Sequence, residues 1–211
     1  MARPSPHVVR DAAELRAILG EPSARAAGKD RRSLHAMDRR WLAHSPFCLV
    51  ATADAAGRCD VSPKGDPPGF VHVIDDAHIA LPERPGNKRA DGFHNVLGNP
   101  HVGLIFLIPG RSDTLRIEGK ARIVRDGDYF DAFVVNGHRP KLALEVAIET
   151  LFYHCAKAFM RSRLWAPDAW TPEAMPSRAE IVKAIEAPAT SLEELEAHYG
   201  PAYAKGLYAD G

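Results

Sequence analysis

The chain has 211 residues, with 27 Lys or Arg against 27 Asp or Glu, so no net field draws it to nucleic acid or an anionic bilayer, and any anion site must be local. No apolar run approaches the roughly 18 residues that a membrane span needs, and the opening MARPSPHVVRDAAEL lacks the basic-then-apolar order of a signal peptide. A soluble, cytoplasmic protein is expected.

DAAELRAIL and LHAMDRRWLAH bring Leu15, Ile18 and Leu19, then Leu34, Met37, Trp41 and Leu42, near helical spacing, which predicts a helical extension over residues 1–44 packed on a sheet. After Ser45-Pro46 the chain turns to β-branched and aromatic residues in short runs broken by Gly, Pro, Asn and Asp. FCLVATA, a turn over residues 54–58 and CDVSP read as one hairpin; FVHVIDD and HIAL, joined at Asp75-Asp76, read as a second. Residues 89–97 predict a short helix stopped by Gly98-Asn99-Pro100. HVGLIFLIPG is too apolar for a one-sided strand and is expected to be buried on both faces.

Residues 114–124 alternate, with Leu115, Ile117, Ala121 and Ile123 on one face, and residues 141–154 alternate with Leu142, Leu144, Val146, Ile148 and Phe152 on one face. DYFDAFVV between them makes one helical hop. Some six or seven strands with few intervening helices argue for a closed antiparallel barrel, mainly β with peripheral helices (α+β), over a doubly wound parallel sheet. The expected layout is a single domain: the extension, a barrel core over residues 45–165, and a Pro- and Ala-rich helical arm over residues 166–211 with helices at 177–186 and 191–199. The arm lies over the barrel or over a partner subunit. Cys48, Cys59 and Cys155 are odd in number and share no metal-ligand spacing, which fits reduced thiols and no structural cystine.

RPGNKRADGFHN, residues 84–95, is the segment that carries most chemistry, because a Pro-Gly turn delivers Asn87, Lys88 and Arg89 to the first turn of the predicted helix. Helix-start N–H groups, the positive end of the helix dipole and two cationic side chains then converge on one dianion, such as a phosphate. Taken alone, a Lys-Arg pair is equally a solvated, basic turn.

Four segments in order, SPFCLVATADAAGRCDVSPKGDPPGF, RPGNKRADGFHNVLGNPHVGLIFLIPG, TLRIEGKARIV and FYHCAKAFMRSRLW, resemble the FMN-binding split-barrel family related to pyridoxamine 5′-phosphate oxidase, in its bacterial branch with the HCAKA..RSRLW ending. The resemblance spans residues 45–165. It implies an antiparallel split β-barrel that forms a homodimer with FMN held in clefts between the subunits. The family's phosphate-binding run falls on Asn87, Lys88 and Arg89, with Asn in place of a hydroxyl donor; Pro82, Glu83 and Arg84 match positions beside the flavin, and Arg84 adds charge near the phosphate. Lys64, in SPKG, matches a basic residue that approaches the flavin ring or the substrate face, where a cation stabilises reduced flavin. Thr114 matches a polar flavin contact, and Arg116 follows two residues on. Asn95 braces the helix, Lys157, Arg161 and Arg163 are candidate donors, and Trp165 is a flat surface for the ring or the dimer contact.

Simpler readings stand beside these. Lys64 is equally a solvated strand-end lysine, Asn95 a plain helix residue, Arg116 an outward strand residue and Trp165 a packing aromatic. His154 beside Cys155 has neither a third ligand nor an orienting partner in view. The chain ends HYGPAYAKGLYADG, with no arginine-rich terminus to hold a substrate phosphate, which argues against vitamin B6 synthesis. The resemblance therefore implies an FMN-dependent oxidoreductase acting on a small-molecule redox substrate, with a non-catalytic flavin- or haem-binding module as the alternative and a deazaflavin as an alternative cofactor. Nucleic-acid binding through Arg31-Arg32, Arg39-Arg40 and residues 161–163 has the least support, because the basic pairs are scattered and the net charge is zero.

Overall fold

A computed structural model of the chain describes residues 7–201 and 203–208. The chain divides into two compact units, the first ending at Asp30 and the second starting at Arg31. In the first, α1 (Ala12–Leu19) is capped by the Asp11 side chain and α2 (Ala24–Ala27) by Ser23, and neither helix buries a residue. Leu15, Ile18 and Leu19, expected against a sheet, are exposed. Their spacing reports the helical period, which is a local property, and says nothing of what the stripe meets.

The second unit begins with α3 (Ala36–His44). Its capping box joins the His35 ring and the Asp38 carboxylate to reciprocal backbone N–H groups, and the helix gives Trp41 and Leu42 to the core. Seven strands follow: β1 (Phe47–Ala53), β2 (Cys59–Gly65), β3 (His72–Val73), β4 (His78–Pro82), β5 (His101–Leu107), β6 (Thr114–Val124) and β7 (Ala143–His154), with α4 (Asp91–Gly98) between β4 and β5. They form one sheet in the order β2-β1-β5-β6-β7-β4-β3, antiparallel at every pairing.

Two short hairpins are set by aspartate chemistry. Asp54 accepts the Ala56 and Arg58 N–H groups, each at 2.9 Å, while Gly57 takes φ 82° in the β1–β2 turn. Asp75 does the same between β3 and β4, accepting the Ala77 N–H at 2.6 Å.

In the sheet order β2 stands first and β4 last but one, yet their ends meet through side chains. Lys64 of β2 pairs with Glu83 just past β4, and Asp66 just past β2 pairs with Arg84. The sheet is therefore rolled until its margins touch without a backbone ladder between them: a split β-barrel, mainly β with helices at its periphery. Inside it Leu104, Phe106, Leu115, Ile117, Leu151 and Ile79 are almost wholly buried, each worth about 1.5–3 kcal/mol of removed apolar surface. A 3₁₀ turn, Phe130–Phe133, makes the hop before β7 and buries both its phenylalanines against Ala80 and Ala143.

Two strand expectations need correction. β5 is not buried on both faces: Val102, Leu104 and Phe106 point inward, while Gly103, Ile105 and Leu107 are half-exposed. A continuous apolar run hides a period of two. In β7 the inward residue near the end is Leu151, not Phe152. Glu118 of β6 faces Thr150 and Gly119 faces Ile148, so Glu149 is an extra residue that flips the parity of the strand. Gly119 is required there, because a Cβ on it would lie 2.0 Å from the Ala147 carbonyl oxygen.

After β7 come α5 (Lys157–Ser162), α6 (Arg178–Ile185) and α7 (Leu192–His198). The last two each start with a Ser-x-x-Glu capping box, at Ser177 and Ser191, and pack Ala179 and Val182 against Leu195. Among the described residues no helix is long and apolar enough to cross a membrane.

Candidate functional site

Along β2, Asp60, Ser62 and Lys64 are half-buried while Cys59, Val61, Pro63 and Gly65 are exposed. The first three face a cavity of about 390 Å³, whose other wall is the segment after β4 with Glu83, Asn87 and Arg89, closed by Asp91 and Phe93 at the start of α4. That segment leaves the sheet for a covalent reason. The Glu83 N–H still donates to the Leu142 carbonyl at 2.9 Å, but Pro85 has no N–H with which to continue the ladder.

The helix then begins later than the sequence suggests. Asn87, Lys88 and Arg89 lie exposed in the loop ahead of α4 rather than in its first turn, and Ala90 is the residue before the helix. Lys88 and Ala90 take φ of 61° and 55°, left-handed conformations that cost a side-chain-bearing residue on the order of 1 kcal/mol each. These two reversals delay the helix and turn the loop along the cavity.

Every charge on this cavity is already answered. Lys64 pairs with Glu83 and stands 5.3 Å from the centre of the Phe93 ring. Arg89 Nε donates to Asp91 at 2.7 Å, and the Arg89 N–H donates to the Asn87 side-chain oxygen at 3.1 Å. Asp60 accepts the Ser62 hydroxyl at 2.8 Å. Asn95 donates its amide to Thr52 at 3.0 Å, tying α4 to β1. Cys48, paired in register with Lys64, is turned into the core; burial pushes its thiol up to about 12 although the Lys64 charge acts the other way, so it is no nucleophile near neutral pH.

The structure gathers Lys64, Glu83, Asn87 and Arg89 on that cavity and separates the other sequence candidates from it. Pro82 is buried at the end of β4. Arg84 points into the seam, where it pairs with Asp66 and donates to the Phe133 carbonyl at 2.6 Å. Lys88 faces a second cavity. Thr114 is buried at the start of β6, while Arg116 donates to Glu118 at 2.6 Å and lies over Phe152. Lys157 and Arg161 are exposed on α5, Arg163 donates to Asp168 at 2.7 Å, and Trp165 donates to the Arg111 carbonyl at 2.7 Å and stacks on Phe159. Asp60, Ser62 and Phe93 are cavity residues that the sequence reading passed over. The first two carry a readable signal, since they sit four and two residues before Lys64 and so share its strand face.

The sequence model of the pyridoxamine 5′-phosphate oxidase family matches residues 34–155, more than half of the chain, from the approach to α3 to the residue after β7. The chain belongs to this family. The matched span of the pyridoxamine 5′-phosphate oxidase family holds the whole barrel and the cavity, and leaves out α1, α2 and the C-terminal arm. Among solved structures, a tagged HupZ of Group A Streptococcus is 21% identical over 57% of this chain and 93% of its own, with a TM-score of 0.46. A Lactobacillus delbrueckii protein named for pyridoxamine 5′-phosphate oxidase is 22% identical over 59% of this chain and 98% of its own, with a TM-score of 0.46. General Stress Protein 26 of Bacillus anthracis is 14% identical over 57% and 94%, with a TM-score of 0.43. None of the curated proteins matches the chain.

Proposed function

We propose that this chain is an FMN-dependent oxidoreductase acting on a small-molecule redox substrate, and that it works as a cytoplasmic homodimer. The observation that carries the reading is the pair of cations, Lys64 from β2 and Arg89 from the loop after β4, lining one cavity of about 390 Å³, a volume in the range of small-molecule sites.

The donor set fits a phosphate-bearing cofactor on one condition. Asp60, Glu83 and Asp91 would repel a phosphate if they stood alone, but Ser62, Lys64 and Arg89 already engage them. Arg89 and Asp91 are 72% and 45% exposed and meet through Arg89 Nε, so the terminal N–H groups of the guanidinium can engage a dianion while Asp91 stays paired. Asn87 and the left-handed turns at Lys88 and Ala90 hold the loop where that contact is made. FMN supplies two-electron chemistry when bound.

The residues contribute position and electrostatics. Lys64, partly desolvated and fixed by Glu83, holds positive charge in the cavity; Phe93 offers a flat apolar wall that keeps water out; Asn95 keeps α4, and with it Phe93, against β1. In the reading proposed here, Thr114, Arg116 and the segment carrying Lys157, Arg161, Arg163 and Trp165 complete the cavity of a second copy. In its favour, that segment also exposes Met160 and Leu164, apolar side chains suited to a contact between copies. An absorbance scan of the purified protein, before and after addition of FMN, tests the assignment; a protein that stays colourless and acquires no flavin bands refutes it. Reduction by NAD(P)H followed by oxygen consumption separates an enzyme from a flavin holder.

A further inference from the structure

The cavity beside β2 sets two cations, Lys64 and Arg89, against three carboxylates, Asp60, Glu83 and Asp91. Two of the carboxylates have a cation of their own, Glu83 that of Lys64 and Asp91 that of Arg89. Asp60 is answered differently. Among the described residues its side chain accepts from the Ser62 hydroxyl, at 2.8 Å, which occupies a lone pair but brings no charge to set against the carboxylate. In a chain of zero net charge the cavity is therefore left with an excess of one negative charge, carried by Asp60, where the cofactor phosphate is proposed to bind.

The fold fixes that charge beside the start of α4. Asp60 pairs with Thr52 in the β1–β2 register and is half-buried on the face of β2 that carries Ser62 and Lys64. Gly92 is the second residue of α4, and a Cβ on it would lie 3.4 Å from Asp60 Oδ2, 3.6 Å from the Thr52 hydroxyl and 3.8 Å from that of Ser62. The carboxylate thus packs on the first helical turn at a residue with no side chain to hold it off. Ala90, just before the helix, gives the N–H groups of that turn no side-chain cap. Asp60 also acts on Arg89: the hydrogen bond and charge of Asp91 come first in raising the pKa of that guanidinium, and the Asp60 charge adds to them. An anion that engages Arg89 from the cavity enters the field of Asp60, across a half-buried wall where water screens less than at the open surface.

We infer that Asp60 is a specificity-determining residue of this cavity: a fixed negative charge that competes with the anionic end of a ligand for Arg89 and the start of α4, and so lowers the affinity for a dianion without touching the rest of the ligand. A like charge beside an anion subtracts from the binding of charge and leaves the contacts of a neutral ligand as they are. Its mark is a difference between a charged ligand and an uncharged one of otherwise the same shape. The inference rests on the flavin reading for the identity of that ligand, FMN, and on the cavity alone for the effect on an anion.

The test compares the full-length wild type with Asp60→Asn, which removes the charge but keeps the shape and an oxygen to accept the Ser62 hydroxyl, and with Glu193→Gln, which removes one negative charge from the first turn of α7 and controls for net charge. FMN and riboflavin, the same flavin with and without its phosphate, are titrated by flavin fluorescence; inorganic phosphate is titrated against the isotope-labelled chain and followed by the amide shifts of residues 86–93. Asp60→Asn is expected to bind FMN and inorganic phosphate at least about tenfold more tightly than the wild type and riboflavin within about threefold of it, while Glu193→Gln changes none of the three. FMN affinity equal in Asp60→Asn and the wild type, a gain for riboflavin as large as that for FMN, or the same gain in Glu193→Gln overturns the role of Asp60 and leaves the flavin reading standing. Absence of flavin binding in every variant refutes the flavin reading instead, and the phosphate titration then decides alone: a tenfold gain in Asp60→Asn upholds the role of Asp60, and no gain or no binding overturns it.

Discussion

Removing the Asp66 carboxylate while leaving Arg84 in place distinguishes two roles for that arginine, a cofactor ligand as the family resemblance implies or a clasp on the barrel seam as its contacts indicate. The Asp66 side chain is 1% exposed and that of Arg84 14%, and Asp66 accepts from both Arg84 Nε and the Tyr208 hydroxyl. In Asp66→Ala a nearly buried guanidinium keeps only the Phe133 carbonyl among these partners. Breaking one side of a buried ion pair costs about 3–5 kcal/mol, and the lower end applies because Arg84 retains that carbonyl and borders a water-accessible cavity. For a domain of this size, about 3 kcal/mol corresponds to a fall in melting temperature of roughly 6–12 °C. The double variant Asp66→Leu with Arg84→Met leaves no orphaned charge and is expected to recover most of that loss. Urea unfolding followed by circular dichroism gives the energies, and flavin titration of the double variant gives the other half of the answer. Retained FMN affinity within about threefold, less than 1 kcal/mol by the usual conversion, marks Arg84 as a clasp. An Asp66→Ala cost below about 1 kcal/mol, the level of a surface pair, or loss of FMN from a folded double variant, refutes the reasoning.

Three further outcomes are expected. Arg89→Ala weakens FMN binding by on the order of tenfold, the share of one charge-assisted contact, as read by flavin fluorescence titration; unchanged affinity moves the phosphate seat elsewhere. Asp38 should make the fold acid-sensitive: burial alone would raise its pKa, but the Arg31 hydrogen bonds, the His35 N–H and the Arg31 charge outweigh burial and hold the carboxyl below its ordinary value. Because the folded pKa is the lower one, the stability that Asp38 contributes is complete above the unfolded value of about 3.9 and lost as pH falls through the folded value. The advantage of the wild type over Asp38→Asn in thermal melts is therefore flat from pH 7 to about 5 and shrinks in stronger acid; an advantage that grows in acid contradicts the pairing. Gly119→Ala drives a Cβ against the Ala147 carbonyl oxygen, backbone that cannot swing aside, and is expected to cost about 3 kcal/mol in denaturant unfolding, with a cost near zero showing that the strand pair relaxes.

The parts of this fold readable from sequence are those whose cause lies within a few residues. The β1–β2 hairpin is set by Asp54 and Gly57 inside its own turn, and α6 and α7 by a serine and a glutamate three residues apart. Where the cause is remote, local pattern misleads. Leu151 replaces Phe152 on the inner face of β7 because Gly119 on another strand admits the bulge. The start of α4 slips to Asp91 because Ala90, a residue with no preference for left-handed backbone, is held there. Arg84 reads as a cation available to a ligand, and its burial depends on Asp66, which only the rolled sheet brings close.

The candidate site has the same remote cause. Paired strands lie about 4.8 Å apart, too close to leave space between their backbones. β2 and β4 are not paired, and across their gap run Lys64 to Glu83 and Asp66 to Arg84, side chains in place of a ladder. The missing ladder leaves room for the cavity beside β2 and supplies the charged residues at its edge. A sheet that closed fully would satisfy more backbone and have no such cavity, so the split in the barrel and the candidate site within it are one feature. Polar residues on the inner face of β2 follow from it: Asp60, Ser62 and Lys64 face a cavity where a sealed barrel would require apolar side chains.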